Sequence, residues 1–344
     1  RDLHKEYRRQ RQMCIRDSRD VFDGVSGVTF TPKKKAKSNT LIVFFHGGGY
    51  CFGSSLTTHK VGLTNMSKIT GSICHSVDYR LAPENPYPAA LDDALTAWRE
   101  IISRNPESKI VLSGDSAGGG LCLALMIYLR DNEERLPDGA VLFSPWTDLN
   151  CEAESYFSKA KADPMFVHQM TKDCSNYYVP SSVSKNEPYI SPAYGDFTGL
   201  PRMLIMTGEN EILLDDSKVI GKKASKDGVE IDDICVPFMS RDEYLNNPKR
   251  LERVRKIMHA KVTNPLQQAK KKASNSSILR RKRADAVTSF STSVDFVPGT
   301  GIDVDIESSK EHEASELEQC DSQFAIFANK EKKVWKMMKM TMTL

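Results

Sequence analysis

Apolar residues gather in short runs that alternate with segments of helical spacing. Leu41-Ile42-Val43-Phe44-Phe45 is apolar throughout, with polar residues before it and glycines after it. Such a run predicts a parallel strand buried on both faces. Ser72 to Val77 is a weaker strand, and Lys109 to Ser113, Ala140 to Phe143, Met203 to Thr207 and Val229 to Val236 are further strands. Ala90, Leu91, Ala94, Leu95, Trp98, Ile101 and Ile102 recur at helical spacing between Pro88 and Asn105-Pro106. Ala117 to Arg130 is apolar on nearly every side, which predicts a helix packed on a sheet and covered from outside. Helices at Leu213 to Lys226 and within Asp163 to Tyr178 fill the gaps. Strands alternating with helices predict an α/β domain whose sheet is mostly parallel.

The pattern divides the chain into three zones. Arg1 to Ser18 is dense in Arg, has weak periodicity and carries no assignable chemistry, so it reads as an unassigned, foreign segment. Residues 19–240 hold the α/β pattern. From Arg241 the character changes. Residues 241–285 carry 14 Lys or Arg against 4 Asp or Glu, and residues 301–322 carry 8 acids and one Lys. Charge blocks with few apolar residues cannot bury enough surface to fold, so 241–344 is expected to be a largely disordered tail, with one basic helix over Leu251 to Lys261.

Composition narrows the function classes. The 344 residues carry 48 Lys or Arg and 45 Asp or Glu, a net charge of +3, which argues against binding nucleic acid by bulk charge. Lys270 to Lys272 and Arg280 to Arg283 are spaced like a nuclear-import signal, but no aromatic interleaves them to stack bases. The longest apolar run, Leu121 to Leu129, is about half of what a spanning helix needs, so no transmembrane segment is expected. Eight cysteines without a C-x-x-C pair or zinc spacing are expected to be reduced thiols of a cytoplasmic chain. No metal or organic cofactor is implied, and oligomeric state is not encoded legibly.

Chemistry concentrates in two motifs. Gly114-Asp115-Ser116-Ala117-Gly118 is a G-x-S-x-G directly between a strand and a helix. A tight turn there lifts the Ser116 hydroxyl clear of the sheet, and the helix N-terminus offers free N–H groups to a developing oxyanion. His46-Gly47-Gly48-Gly49 follows the first strand. Its backbone can aim N–H groups at a substrate carbonyl, so Gly47, Gly48 and Ala117 are the expected oxyanion donors. His46 is expected to be a structural hydrogen-bonder.

These motifs resemble the hormone-sensitive-lipase-like branch of the α/β-hydrolases. The resemblance extends through Asp78-Tyr79-Arg80-Leu81-Ala82-Pro83-Glu84, Pro88 to Asp93, Ser144-Pro145-Trp146-Thr147-Asp148 and Ser191-Pro192. It implies an α/β-hydrolase fold with helices on both faces of the sheet, a lid, and a serine carboxylester hydrolase acting on a small-molecule ester with Ser116 as nucleophile. The family acid falls at Glu211 in Gly208-Glu209-Asn210-Glu211-Ile212-Leu213-Leu214-Asp215, with Asp215 as the alternative. The family's His has no counterpart, because Phe238-Met239-Ser240 runs into Arg241. Arginine cannot accept a proton at neutral pH. His259 and His312, the two later histidines, lie in charged segments. The domain is therefore expected to be truncated at its C-terminal end, short of part of its lid, and impaired as an esterase. The alternative is a non-catalytic small-molecule binding protein on the same scaffold.

Overall fold

The computed structural model describes residues 15–34, 39–163 and 165–236. Eight strands form one sheet in the order β1-β2-β4-β3-β5-β6-β7-β8. They are β1 (Ile15–Phe22), β2 (Val25–Pro32), β3 (Thr40–Phe45), β4 (Ile73–Val77), β5 (Lys109–Asp115), β6 (Gly139–Phe143), β7 (Met203–Gly208) and β8 (Ile231–Val236). β1 and β2 form an antiparallel hairpin, β2 pairs antiparallel with β4, and β4-β3-β5-β6-β7-β8 run parallel. The helices are α1 (Lys60–Thr70), α2 (Ala89–Arg104), α3 (Ala117–Asp131), α4 (Ser155–Ser158), α5 (His168–Tyr178) and α6 (Leu214–Lys226).

Buried parallel strands need apolar side chains on both faces, and β3 shows this directly. Leu41, Val43 and Phe45 point into one core, while Ile42 and Phe44 point into the other. All are almost fully buried. Burial of Phe44 and Phe45 contributes on the order of 2–3 kcal/mol each. The larger core takes α2, α3 and α6, including Trp98, Leu121, Leu125 and Ile220. Leu63 and Met66 of α1 join the smaller core with Val28, Phe30, Val141 and Leu204. α3 is buried along nearly its whole length, as its unbroken apolar sequence requires. Among the described residues, no helix is long and apolar enough to cross a membrane.

Two findings differ from the sequence expectation. The hairpin β1-β2 lies where no strand was predicted, and β1 begins at Ile15, inside the stretch read as foreign. Its pairing comes from the turn: Asp23 and Gly24 both adopt positive φ, 49° and 89°, so the two strands meet with Phe22 opposite Val25. The α1 helix was also not predicted, since most of its residues are polar and only Leu63 and Met66 reach the core deeply. The tail 241–344, the helix expected at Leu251 to Lys261, the basic clusters, Arg241, His259 and His312 all lie outside the described residues, as do residues 1–14.

Candidate active site

Strand register brings the two motifs together. Phe45, the last residue of β3, pairs with Gly114 of β5, so the His46–Gly49 loop leaves the sheet beside Asp115 and Ser116. Ser116 stands between β5 and α3 with φ 53° and ψ −122°, a backbone that an L-residue seldom adopts. Hydrogen bonds clamp it on both sides. Its N–H donates to Phe143 O at 2.9 Å, and its carbonyl accepts from Trp146 N at 2.9 Å and Gly120 N at 3.0 Å. The bend requires close approach. A Cβ on Gly118 would stand 2.0 Å from Phe45 O, so only glycine lets α3 start against the end of β3.

The glycine loop is held by the residue before Ser116. Asp115 Oδ1 accepts the Gly47 N–H at 2.7 Å and faces His59 Nε2 at 2.9 Å. The Gly47 amide, expected to serve an oxyanion, is thus turned toward Asp115. The reason is geometric: Gly47 passes directly beside the Asp115 carboxylate, where an added Cβ would meet Oδ2 at 2.3 Å. Beyond it the loop reverses. Gly48, at φ 125°, offers its carbonyl to Cys51 N at 2.9 Å and Phe52 N at 3.0 Å, and Gly49 follows at φ 59°. Gly49 reaches the same pocket as Ser116.

His46 supports this loop from beneath, in the structural role expected of it. Its Nδ1–H donates to Gly47 O at 2.8 Å, its own carbonyl accepts from the Tyr79 hydroxyl at 2.6 Å, and its ring stacks on Tyr79 at 4.4 Å. Burial, aided by the nearby His59, pushes its pKa down to about 4, so the ring is neutral at physiological pH. His75 is likewise lowered by burial to about 4, and lies against Thr29 Oγ1 at 2.9 Å. His168 Nε2 donates to Cys151 O at 2.8 Å.

Ser116 opens onto a narrow pocket walled by Gly49, Phe52, Trp146, Phe166, Met170, Thr171, Cys174 and Leu213. Among the described residues, Thr171 is the one hydroxyl-bearing wall residue beside the serine, and the rest of the lining is apolar or sulfur-bearing. Besides the glycine loop, which brings Gly49 and Phe52, three elements build that wall. The loop after β6 brings Trp146, α5 and its approach bring Phe166 to Cys174, and the turn after β7 brings Leu213. Asp163 ties the second to the third: Oδ1 accepts from Met165 N at 2.8 Å and Phe166 N at 3.0 Å, and Oδ2 from Ile212 N at 2.9 Å. Tyr50 of the glycine loop stacks on Tyr178 of α5 with centroids 3.9 Å apart, which fixes the helix against the loop. The sequence offered no periodic signal for Asp163, Phe166, Met170 or Cys174; Trp146 lay within a motif of the resemblance.

The acids separate by environment. Glu211 is 3% exposed and folds back so that Oε1 accepts Gly208 N at 2.9 Å. Its turn is the one that delivers Leu213 to the pocket. Asp215 faces α4 instead, accepting Ser155 N at 2.9 Å and lying 3.3 Å from Lys218 Nζ. Asp216 accepts Thr147 N at 2.8 Å and Asp148 N at 2.9 Å, and burial raises its pKa to about 7. Among the described residues, no group of three or more His, Cys, Asp or Glu side chains is placed to hold a metal ion.

The chain is similar to known proteins. The family described as the alpha/beta hydrolase fold matches residues 42–240. An esterase of Acinetobacter venetianus is 36% identical over 200 residues, covering 58% of this chain and 66% of that protein. An acetyl-hydrolase of Streptomyces hygroscopicus is 35% identical over 191 residues, covering 55% and 63%. The chain thus spans less than two thirds of the length of these relatives. The crystal structure of an esterase from the bacterial hormone-sensitive lipase family superposes with a TM-score of 0.69 at 31% identity, covering 73% of this chain and 86% of the other.

Proposed function

The chain belongs to the alpha/beta hydrolase fold family, in its hormone-sensitive-lipase-like branch, and from that premise we propose that it is a serine carboxylester hydrolase for small acyl esters. One observation carries this reading: Ser116, held at positive φ at the start of α3, lines an apolar pocket together with Gly49. Ser116 Oγ attacks the ester carbonyl, and the acyl group transfers to the serine as the alcohol leaves. The N–H groups of Gly48, Gly49 and Ala117 receive the oxyanion, with Gly49 taking the place first assigned to Gly47. The α3 N-terminus adds favourable potential at that oxygen. The apolar walls hold the acyl chain. Glu211 orients and stabilises the base in the manner of a triad acid.

The base is the weak point of this chain. Arg241 occupies the place where the family pattern puts His, and it cannot take the Ser116 proton. We therefore propose slow turnover, roughly 10⁴- to 10⁶-fold below an intact triad, sustained by the oxyanion site and binding. The free thiols at Cys51, Cys74, Cys122, Cys151 and Cys174 support a reducing, cytosolic setting. Hydrolysis of p-nitrophenyl acetate by the full chain, by Ser116→Ala and by Arg241→His tests the reading. Slow hydrolysis that Ser116→Ala removes and Arg241→His raises supports it. Turnover at the rate of an intact esterase would overturn the impairment and leave the hydrolase reading standing. Hydrolysis indifferent to Ser116→Ala would overturn the hydrolase reading and favour a binding protein on this scaffold.

A further inference from the structure

Two thiols meet where the glycine loop touches α5. Cys51 lies in the reverse turn that closes through Cys51 N–H and Phe52 N–H on Gly48 O. Cys174 lies on α5 and lines the pocket beside Ser116. The Cys51 Sγ–H donates toward Cys174 O at 3.8 Å. The contact continues to the loop itself, since a Cβ on Gly49 would stand 2.9 Å from Cys174 Sγ. Cys51 is half-buried; Cys174 is buried, as are Cys74, Cys122 and Cys151, but it lines the pocket.

The two sulfurs differ in character. The hydrogen bond from Cys51 holds the Cys174 thiol below its ordinary pKa, against the opposing effect of burial. The same contact and burial push the Cys51 thiol up. Burial alone raises Cys74, and it is the largest cause of the rise at Cys122 and at Cys151. Thiolate character and access to a cavity therefore coincide at Cys174, the combination that selects a cysteine for oxidation.

We propose that Cys174 and Cys51 form a redox couple that closes to an intramolecular disulfide at the pocket wall when the protein meets a hydroperoxide. The Cys174 thiolate attacks the peroxide oxygen, the O–O bond breaks, and the leaving alkoxide or hydroxide takes a proton, leaving Cys174 as a sulfenic acid. The Cys51 sulfur then attacks the Cys174 sulfur. The S–O bond breaks, water leaves with the Cys51 proton, and the S–S bond remains. Sulfur is oxidised and the peroxide is reduced. A dithiol reductant reverses the change. The closed bond staples the loop that carries Gly48 and Gly49 to the helix that carries Met170 and Thr171, joining positions 123 residues apart.

Intact and peptide mass spectrometry of the reduced full chain, treated with hydrogen peroxide and then alkylated with iodoacetamide, tests this. Before alkylation the expected product is lighter than the reduced chain by two hydrogens and dithiothreitol restores the starting mass; after alkylation one cross-linked, unalkylated peptide pair holds Cys51 and Cys174. Cys51→Ser and Cys174→Ser each abolish the pair. In Cys51→Ala, which removes the hydrogen-bond donor that serine would keep, alkylation of Cys174 slows at least about threefold. Ser116→Ala forms the bond as the parent does, so failure of the disulfide and failure of ester hydrolysis are read separately. Unchanged alkylation of both cysteines after peroxide, over-oxidation of Cys174 without a cross-link, or a cross-link to another cysteine would each overturn the proposal.

Discussion

The Asp115 carboxylate accepts the Gly47 amide at 2.7 Å, so the residue before Ser116 holds the glycine loop. One buried side chain thereby couples the ends of β3 and β5, and it also faces His59 at 2.9 Å. Removing it leaves a buried N–H and an imidazole without their acceptor. Asp115→Ala is expected to cost about 2–4 kcal/mol of stability and to lower any Ser116-dependent ester turnover about 10²-fold. Asp115→Asn keeps an acceptor oxygen for Gly47 and should lose less of both. Urea unfolding and p-nitrophenyl acetate kinetics on the two variants check the order.

Strain at the elbow should be measurable separately from chemistry. Ser116 holds φ 53° and ψ −122°, which glycine reaches freely and alanine does not. Both Ser116→Ala and Ser116→Gly remove the hydroxyl. Ser116→Gly is expected to be more stable than Ser116→Ala by about 1 kcal/mol, the relief of strain less the added chain entropy. Equal thermal midpoints for the two variants would show that the bend stores nothing.

At Gly118 the constraint is space, not dihedral freedom. A methyl group there meets Phe45 O at 2.0 Å and His46 O at 2.6 Å, both backbone atoms that cannot swing aside. Gly118→Ala should lower stability by about 3 kcal/mol or more, since relief demands moving α3 from β3. A denaturation midpoint within error of the parent would refute the tight approach.

Asp216 gives a pH dependence with a definite sign. Its native pKa is raised by burial to about 7 from an ordinary 3.8, so the folded state keeps a proton that the unfolded chain releases. The stability this contributes is complete below about pH 4 and is lost as pH rises through about 7. His46 and His75, lowered to about 4 from 6.5, act oppositely, contributing above 6.5 and losing it as pH falls through 4. Asp216→Asn keeps an oxygen for Thr147 N and Asp148 N but does not titrate. Because the histidines are common to both proteins, the stability difference between them isolates Asp216. Between pH 4 and pH 8 the parent should lose on the order of 3–4 kcal/mol relative to the variant, read from urea midpoints. A constant difference across that range would contradict the assignment.

The pocket walls should set acyl preference. Met170 and Phe166 close the space beside Ser116. Met170→Ala enlarges it by several heavy atoms and should shift the ratio of kcat/KM for p-nitrophenyl hexanoate over acetate upward by about tenfold, within the range that methylene-sized pocket changes produce. An unchanged ratio would place the acyl chain elsewhere.

The chain order of apolar residues determined a great deal on its own. Leu41 to Phe45 and Met203 to Thr207 read as strands buried on both faces, and Ala117 to Arg130 as a covered helix, because each is apolar almost throughout. Gly114 to Gly118 located Ser116, since the bend is local and its small residues are a local requirement. The β1-β2 hairpin escaped because most of its residues are polar; Asp23-Gly24 marked the turn, but the partner strand β4 lies more than forty residues away. Likewise, which amide of His46-Gly47-Gly48-Gly49 faces the pocket depends on Asp115, brought alongside by the β3–β5 register. Cys174 and Leu213 meet beside Ser116, with Asp163 tying their segments together, only because α5 and the turn after β7 fold over the same strand ends. Periodicity reports which face of an element is buried, whereas contacts between separate loops depend on where the sheet leaves their ends, and that is decided in three dimensions.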